Sequence, residues 1–87
     1  MDMGNVVEYI DRQKILCAVV TEIKNQRLRL LTENNREVNL SENRLSHKSA
    51  GRLDLSMGRH QLVEALRQTA ERRRRLHEQI DVQELWE

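Results

Sequence analysis

The hydrophobic and polar positions of this chain are arranged around one apolar run, residues 15–23, with the sequence Ile-Leu-Cys-Ala-Val-Val-Thr-Glu-Ile. Successive side chains of a strand point to opposite faces, which divides the run into two apolar sets. The sets are Ile15, Cys17, Val19 and Ile23 on one face, and Leu16, Ala18 and Val20 on the other. β-Branched residues and flanking turn residues favour a strand over a helix. A strand that is apolar on both faces is typical of the centre of a sheet.

Shorter segments on both sides of this run predict further strands. In residues 27–32 arginine alternates with leucine, so one face would be charged and the other buried. Asn34-Asn35 is the strongest turn signal, because asparagine tolerates the left-handed backbone of a type I′ hairpin. Ser41 would cap a single helical or 3₁₀ turn before the last strand. The predicted strands are residues 4–10, 15–23, 27–32, 36–40 and 45–50.

Five short strands joined by tight turns are typical of a strongly bent SH3-like barrel, which we predict for residues 1–52. An OB-fold is the competing interpretation, but its strands are usually longer and are interrupted by a helix, for which there is no room before residue 50. The predicted fold class is therefore mainly β with α. A small five-stranded barrel is followed, in residues 53–87, by a helical extension.

The composition of residues 56–79 predicts a long amphipathic helix with Ser56 as its N-cap. Positions three and four residues apart form its expected buried stripe: Leu62, Leu66, Thr69, Arg73, Leu76 and Ile80. Arg73 interrupts the apolar character of this stripe. Its guanidinium must therefore snorkel, pair with a neighbouring glutamate, or face a groove that is polar.

The last seven residues predict the start of a second helix at Val82. Asp81 and Glu84 have the spacing of a capping box, and Ile80 and Leu85 have that of a hydrophobic staple. So short a helix is unstable alone, because nucleation costs more than its few hydrogen bonds return. We therefore expect the chain to be the N-terminal fragment of a longer protein. The competing interpretation is a natural short protein with a frayed tail.

An unpartnered helix end predicts a contact surface. The stripe is longer than a barrel of about 50 residues can cover, since a helix rises about 1.5 Å per residue. Its distal half should therefore pack on the rest of the polypeptide or on a second copy, giving a homodimer. The residues expected to make this inter-domain or oligomer contact are Leu76, Ile80, Leu85 and Trp86.

Composition narrows the possible partners of the chain. It has 87 residues with a net charge of +1, so any basic surface for nucleic acid must be local. Cys17, the single cysteine, cannot form an internal disulfide, and its neighbours favour a small buried hydrophobe over a reactive thiol. No signal peptide or membrane span is recognisable. These features predict a cytoplasmic protein with no membrane partner.

Candidate catalytic chemistry is absent from the sequence pattern. His47, His60 and His77 are not spaced to place two imidazoles on one helix face, and the aspartates fall in separate turns and caps. No phosphate-binding glycine loop or nucleophile motif is present. We therefore predict no catalytic residue, no metal site and no cofactor in this chain.

Arginine distribution supplies the one candidate binding site. Residues 72–75 are a basic run that spreads around the circumference of a helix, which is typical of a solvated surface. A different set clusters around one hairpin and could make weak, non-specific contact with RNA phosphates: Lys24, Arg27, Arg29 and Arg36. Neighbouring glutamates dilute this charge, and there is no aromatic platform for base stacking.

Four segments together carry a family resemblance: Gly4-Asn5-Val6-Val7-Glu8-Tyr9-Ile10, Cys17-Ala18-Val19-Val20, Asn35-Arg36-Glu37-Val38-Asn39-Leu40, and Ile80-Asp81-Val82-Gln83-Glu84-Leu85-Trp86-Glu87. In their order along the chain they resemble the N-terminal region of bacterial exoribonucleases of the ribonuclease II and ribonuclease R (RNB) family. The resemblance is to the branch with a short SH3-like entry domain. It implies a 3′ to 5′ RNA-degrading enzyme whose Mg²⁺-binding aspartates belong to a later domain with no counterpart here.

Two hypotheses about function follow. In the first, the chain is a non-catalytic accessory domain of such an exoribonuclease, and it guides RNA or braces the catalytic domain. In the second, it is a free-standing SH3-like module that binds a partner protein.

Overall fold

The computed structural model describes residues 2–41 and 51–86, with side chains described as far as Arg75. Its elements are β1 (Asn5–Asp11), β2 (Lys14–Lys24), β3 (Arg27–Thr32), β4 (Glu37–Ser41), β5 (Gly51–Arg52) and α1 (Arg59–Trp86). The strands form one antiparallel sheet in the order β4-β3-β2-β1-β5. Among the described residues β4 and β5 do not pair, so the sheet is open. The mainly β class with a helix is confirmed, and closure into a barrel is not observed.

The first four predicted strands are confirmed to within one or two residues at each end. Predicted strand 45–50 and the turn capped by Ser41 fall mostly on residues 42–50, outside the described part of the chain. The observed β5 follows them and pairs with the beginning of β1, where Asn5 lies opposite Arg52.

Two of the connecting turns are type I′-like and have two residues each. Arg12 and Gln13 join β1 to β2 with φ angles of 48° and 73°, and Asn25 and Gln26 join β2 to β3 with φ angles of 50° and 67°. This backbone matches the right-handed twist of the flanking strands. The predicted Asn34-Asn35 turn is instead part of a longer loop, residues 33–36.

In loop 33–36 only Asn35 has a positive φ, at 61°. The loop is closed by the backbone N–H of Thr32, which donates to the carbonyl of Arg36 at 2.9 Å. A two-residue type I′ turn needs positive φ at both central positions, so the predicted turn type at Asn34-Asn35 is wrong.

A β-bulge at Thr21 changes the faces of β2. The pairing register shifts between Val20, which lies opposite Leu30, and Glu22, which lies opposite Arg29. The hydroxyl of Thr21 donates to the carbonyl of Arg29 at 3.1 Å. One inserted residue reverses the alternation beyond it. Ile23, opposite Leu28, therefore lies on the Val20 face, and its predicted place on the Cys17 face is wrong.

The sheet is apolar on both faces, as the central run predicted. On the helix side, α1 covers one cluster: Val6, Cys17, Val19 and Leu31 of the sheet with Leu62, Val63, Leu66 and Ala70 of the helix. On the opposite side the buried cluster is Val7, Ala18, Val20, Leu28, Leu30 and Leu40. Tyr9 of β1 and Val38 of β4 line one cleft on that side, so the sheet curls to bring these non-adjacent strands together.

Helix α1 differs from the sequence prediction at both ends. It begins at Arg59 rather than after Ser56, whose backbone N–H instead donates to the carboxylate of Asp54 at 2.9 Å in a preceding turn. It continues without interruption to Trp86, so the predicted second helix starting at Val82 is wrong. Residues 59–86 contain no glycine or proline that would break a helix. In an unbroken helix the backbone N–H groups after Asp81 bond to carbonyls of the preceding turn, so they need no cap.

Candidate nucleic-acid interface

The turn end of the β2–β3 hairpin brings three predicted cations together. Lys24 and Arg27 lie directly opposite each other across the two strands, and Glu22 and Arg29 form the next pair but one, beyond Ile23 and Leu28. Residues two apart on a strand share a face, so these four side chains lie on one side of the hairpin. This is the helix side of the sheet, beyond the part that α1 covers.

These side chains border a shallow groove of about 360 Å³. Its lining residues are Glu22, Lys24, Asn25, Arg27, Leu28, Arg29 and Asn39. Guanidinium and ammonium groups bind phosphate oxygens, the former as a planar fork and the latter as a point charge. Asparagine amides can both donate and accept hydrogen bonds, as contact with a ribose or a base edge requires. The groove therefore has the chemistry of a nucleic-acid backbone site.

One of the three cations is already paired. Arg29 Nη1 lies 3.2 Å from Glu22 Oε2, and about half of each side chain is exposed. Exposed ion pairs contribute little to stability, typically about 0–1 kcal/mol. A phosphate can therefore compete with Glu22 for Arg29.

Arg36, the fourth predicted cation, lies at the other end of the hairpin. It belongs to loop 33–36, and its backbone N–H donates to the hydroxyl of Thr32 at 3.3 Å. Arg27 and Thr32 mark opposite ends of β3, which at about 3.3 Å per residue separates them by roughly 17 Å. The structure therefore brings Lys24, Arg27 and Arg29 together and does not bring Arg36 to them.

Two of the groove residues that were not selected from the sequence are asparagines. Asn39 lies opposite Arg29 in the β3–β4 pairing, and Asn25 forms the turn between β2 and β3. The sequence does contain a signal for Asn39, because it alternates with Val38 and Leu40 and so lies on the opposite face of β4. The register of β4 is also needed to place Asn39 beside Arg29.

A second polar arrangement holds α1 on the sheet. We call Arg59, Arg67 and Arg74 the arginine clamp, because all three bind residues of loop 33–36. Arg59 donates to the side chain and the carbonyl of Asn35, at 2.7 and 3.1 Å. Arg67 donates to the carbonyl of Glu33 at 3.1 Å, and Arg74 to its carboxylate at 3.3 Å. These cations are thus committed to internal contacts.

Cys17 lies beside the end of this clamp, among charged groups. Its backbone N–H donates to the Glu33 carboxylate at 3.4 Å, and Glu8 is its cross-strand neighbour. Burial raises the pKa of the Cys17 thiol above its ordinary value, although the Arg73 guanidinium opposes that effect. A protonated thiol is a poor nucleophile, which agrees with the predicted role of Cys17 as a small buried side chain.

The basic run 72–75 is only partly a solvated surface. Arg75 pairs with Glu71 at 3.0 Å, four residues earlier on the helix. Arg73 pairs with Glu8 of β1. This ion pair is how the fold accommodates an arginine within the otherwise apolar stripe of α1. Arg74 contacts Glu33. Two adjacent arginines therefore bind the sheet domain, because the helix passes over Glu8 and Glu33, the two carboxylates that flank Cys17.

The residues that were predicted to make an inter-domain or oligomer contact belong to α1, but their side chains lie outside the described part of the structure: Leu76, Ile80, Leu85 and Trp86.

Within residues 2–41 and 51–75, no three His, Cys, Asp or Glu side chains are grouped in a way that could hold a metal ion. The described helix is too polar to cross a membrane. Comparison with protein-family models, curated proteins and solved structures finds no match to this chain.

Proposed function

We propose that this chain is a non-catalytic accessory domain of a cytoplasmic 3′ to 5′ exoribonuclease of the ribonuclease II and ribonuclease R type, and that it holds RNA by its phosphate backbone. The observation that carries the proposal is the groove in which Lys24, Arg27 and Arg29 converge on one open face. RNA degradation itself, with its Mg²⁺, would belong to a later domain of the same polypeptide.

Several features of the fold support an SH3-like assignment for the β-sheet part. Its strands other than β2 have at most seven residues, two of its turns are tight and left-handed, and the 11-residue β2 carries a bulge. The approach of β1 and β4 across the side opposite α1 gives the sheet a barrel-like curvature. We propose that the distal half of α1, with Leu76, Ile80, Leu85 and Trp86, contacts the rest of the polypeptide or a second copy.

The groove supports weak and sequence-independent binding. Each phosphate neutralised on a single strand lowers log K by roughly 0.7 per unit of log salt, and non-specific affinities are typically about 10⁻⁴–10⁻⁶ M. Three cations can contact only two or three phosphates. Such binding suits a surface over which an RNA strand passes while it is held more firmly elsewhere.

Fluorescence anisotropy with a labelled single-stranded RNA tests this proposal. We expect the triple variant Lys24→Gln, Arg27→Gln, Arg29→Gln to bind at least about tenfold more weakly than wild type at low salt, with a shallower salt dependence. The matched control is Arg12→Gln, Lys14→Gln, Arg72→Gln, which removes the same charge from exposed positions outside the groove. Equal losses in the two variants, or no binding by wild type, would contradict the proposal.

An exposed apolar pair supports the second hypothesis, a protein-interaction module. Ile10 and Ile15 lie opposite each other on β1 and β2 and are 70% and 60% exposed. Contiguous exposed apolar side chains are a feature of contact surfaces, and this pair would form part of one. Sedimentation of the concentrated chain tests whether a second copy is the partner. Self-association that the Ile10→Thr, Ile15→Thr variant abolishes would favour this hypothesis, and a strict monomer would rule out a second copy as the partner.

A further inference from the structure

Glu22 is the only carboxylate residue among the described residues that line the groove. It lies directly opposite Arg29, and the shortest contact between the two side chains joins Glu22 Oε2 to Arg29 Nη1 at 3.2 Å. A carboxylate bound to a guanidinium uses the same fork of N–H donors that a phosphate would use. Glu22 therefore occupies the position of an anionic ligand at Arg29.

The other cations of the groove are not occupied in this way. No ion pair joins Lys24 or Arg27 to another residue of the described chain. The groove thus offers two neighbouring positions for anions. One, at Lys24 and Arg27, has no carboxylate partner among the described residues, and the other, at Arg29, is filled by Glu22.

The two positions are spaced like successive phosphates. Arg27 and Arg29 are two residues apart on β3, which separates their Cα atoms by about 7 Å. That distance is comparable to the separation of consecutive phosphates along one nucleic-acid strand. An RNA strand running parallel to β3 can therefore place one phosphate at Lys24 and Arg27 and the next at Arg29.

We propose that Glu22 is an intramolecular competitor for the second phosphate and so sets how many phosphates the groove engages. This inference rests on the proposed function and concerns the regulation of the same site. In wild type the first phosphate binds freely, and the second binds only when it displaces Glu22 from Arg29. The carboxylate thereby keeps the affinity low and the exchange of RNA rapid.

Replacement of the carboxylate by its neutral amide tests the inference. Exposed ion pairs are weak, so Glu22→Gln should tighten binding of a labelled oligoribonucleotide by only about two- to fivefold at low salt. It should also steepen the dependence of log K on log salt by up to about 0.7, the increment for one additional phosphate on a single strand. Arg29→Gln should weaken binding only slightly in wild type, where Glu22 already occupies Arg29. The same substitution should weaken binding more in the Glu22→Gln variant, where Arg29 is available to a phosphate.

Glu71→Gln is the matched control, because it makes the same change in net charge and also releases an arginine, Arg75, from an exposed ion pair outside the groove. Circular dichroism and urea unfolding of each variant are the checks that the overall fold is retained. Wild-type binding with equal effects of Glu22→Gln and Glu71→Gln would overturn this inference and leave the proposed function standing. Absence of salt-dependent binding by wild type and Glu22→Gln alike would overturn both.

Discussion

Glu33 shows how a single residue gains its environment from a distant part of the chain. It follows β3 in a polar loop, yet its side chain is only 6% exposed. A buried carboxylate is unfavourable unless it is paired, and the partner here is Arg74 of α1, 41 residues away. The backbone N–H and carbonyl of Cys17 complete the site. Nothing in residues 33–36 alone indicates that one of them would be buried.

The raised pKa of Cys17 predicts a loss of stability at alkaline pH. The unfolded thiol ionises near its ordinary pKa of 9.0, whereas burial keeps the folded thiol protonated. The stability contributed by the buried thiol is thus complete below pH 9 and declines as pH rises towards the folded pKa. We expect the difference in unfolding free energy between wild type and Cys17→Ala to shrink from pH 7 to pH 10. Urea unfolding under reducing conditions measures it, and a constant difference would contradict the assignment.

At the scale of elements, the tight turns carry a conformational cost that the sheet imposes. Arg12, Gln13, Asn25 and Gln26 all adopt positive φ, although only asparagine tolerates this region readily. The twist of antiparallel strands favours such turns regardless of the residues that occupy them. Burial of the flanking strands on both faces offsets the local strain, which is roughly 1–2 kcal/mol for each unsuited residue.

Replacing Gln26 by glycine should therefore stabilise the protein. Gln26 is exposed with a φ of 67°, and glycine adopts that angle without a steric penalty. We expect Gln26→Gly to raise the unfolding free energy by about 1 kcal/mol. The matched control, Gln68→Gly on the exposed side of α1, should lower it by about 1 kcal/mol, because glycine is a poor helix former. Thermal unfolding of both variants is the measurement, and a shift of the same sign in both would contradict the interpretation of the turn.

At the scale of the whole molecule, α1 is part of the structure of the sheet domain. Leu62, Val63, Leu66 and Ala70 cover the helix side of the sheet, where each buried apolar side chain contributes roughly 1–3 kcal/mol. The arginine clamp fixes the direction of the helix across loop 33–36. Among the side chains that the structure describes, none from α1 lines the groove at the turn end of the β2–β3 hairpin.

The proposed accessory role predicts that the purified chain does not degrade RNA. Hydrolysis of this kind depends on carboxylates that position metal ions and an activated water, and the resemblance assigns these to a later domain. We expect a 5′-labelled RNA to remain full length after incubation with the chain and Mg²⁺ or Mn²⁺, as judged on a denaturing gel. Reproducible shortening that EDTA abolishes would refute the accessory role.

The sequence by itself determined the strands and their central faces. In β1 and the centre of β2 the alternation of residue types is encoded in the local chain, so the split between Val6 and Val7, or between Cys17 and Ala18, follows from period two alone. The same holds for the existence of α1 and for the need of Arg73 to find a polar partner. Family resemblance, the groove's role in RNA contact and the distal helix contacts stay predictions.

Tertiary structure decided what depends on pairing between segments. The bulge at Thr21 moved Ile23 to the other face, because register is set jointly by two strands and one extra residue reverses every side chain beyond it. Arg36 lies far from Arg27 because the two residues are at opposite ends of β3. Their closeness in sequence does not show this. Glu22 lies opposite Arg29 only because the bulge sets this pairing of β2 with β3. Charges several residues apart become a site when strand pairing aligns them, and that alignment is a property of the folded sheet.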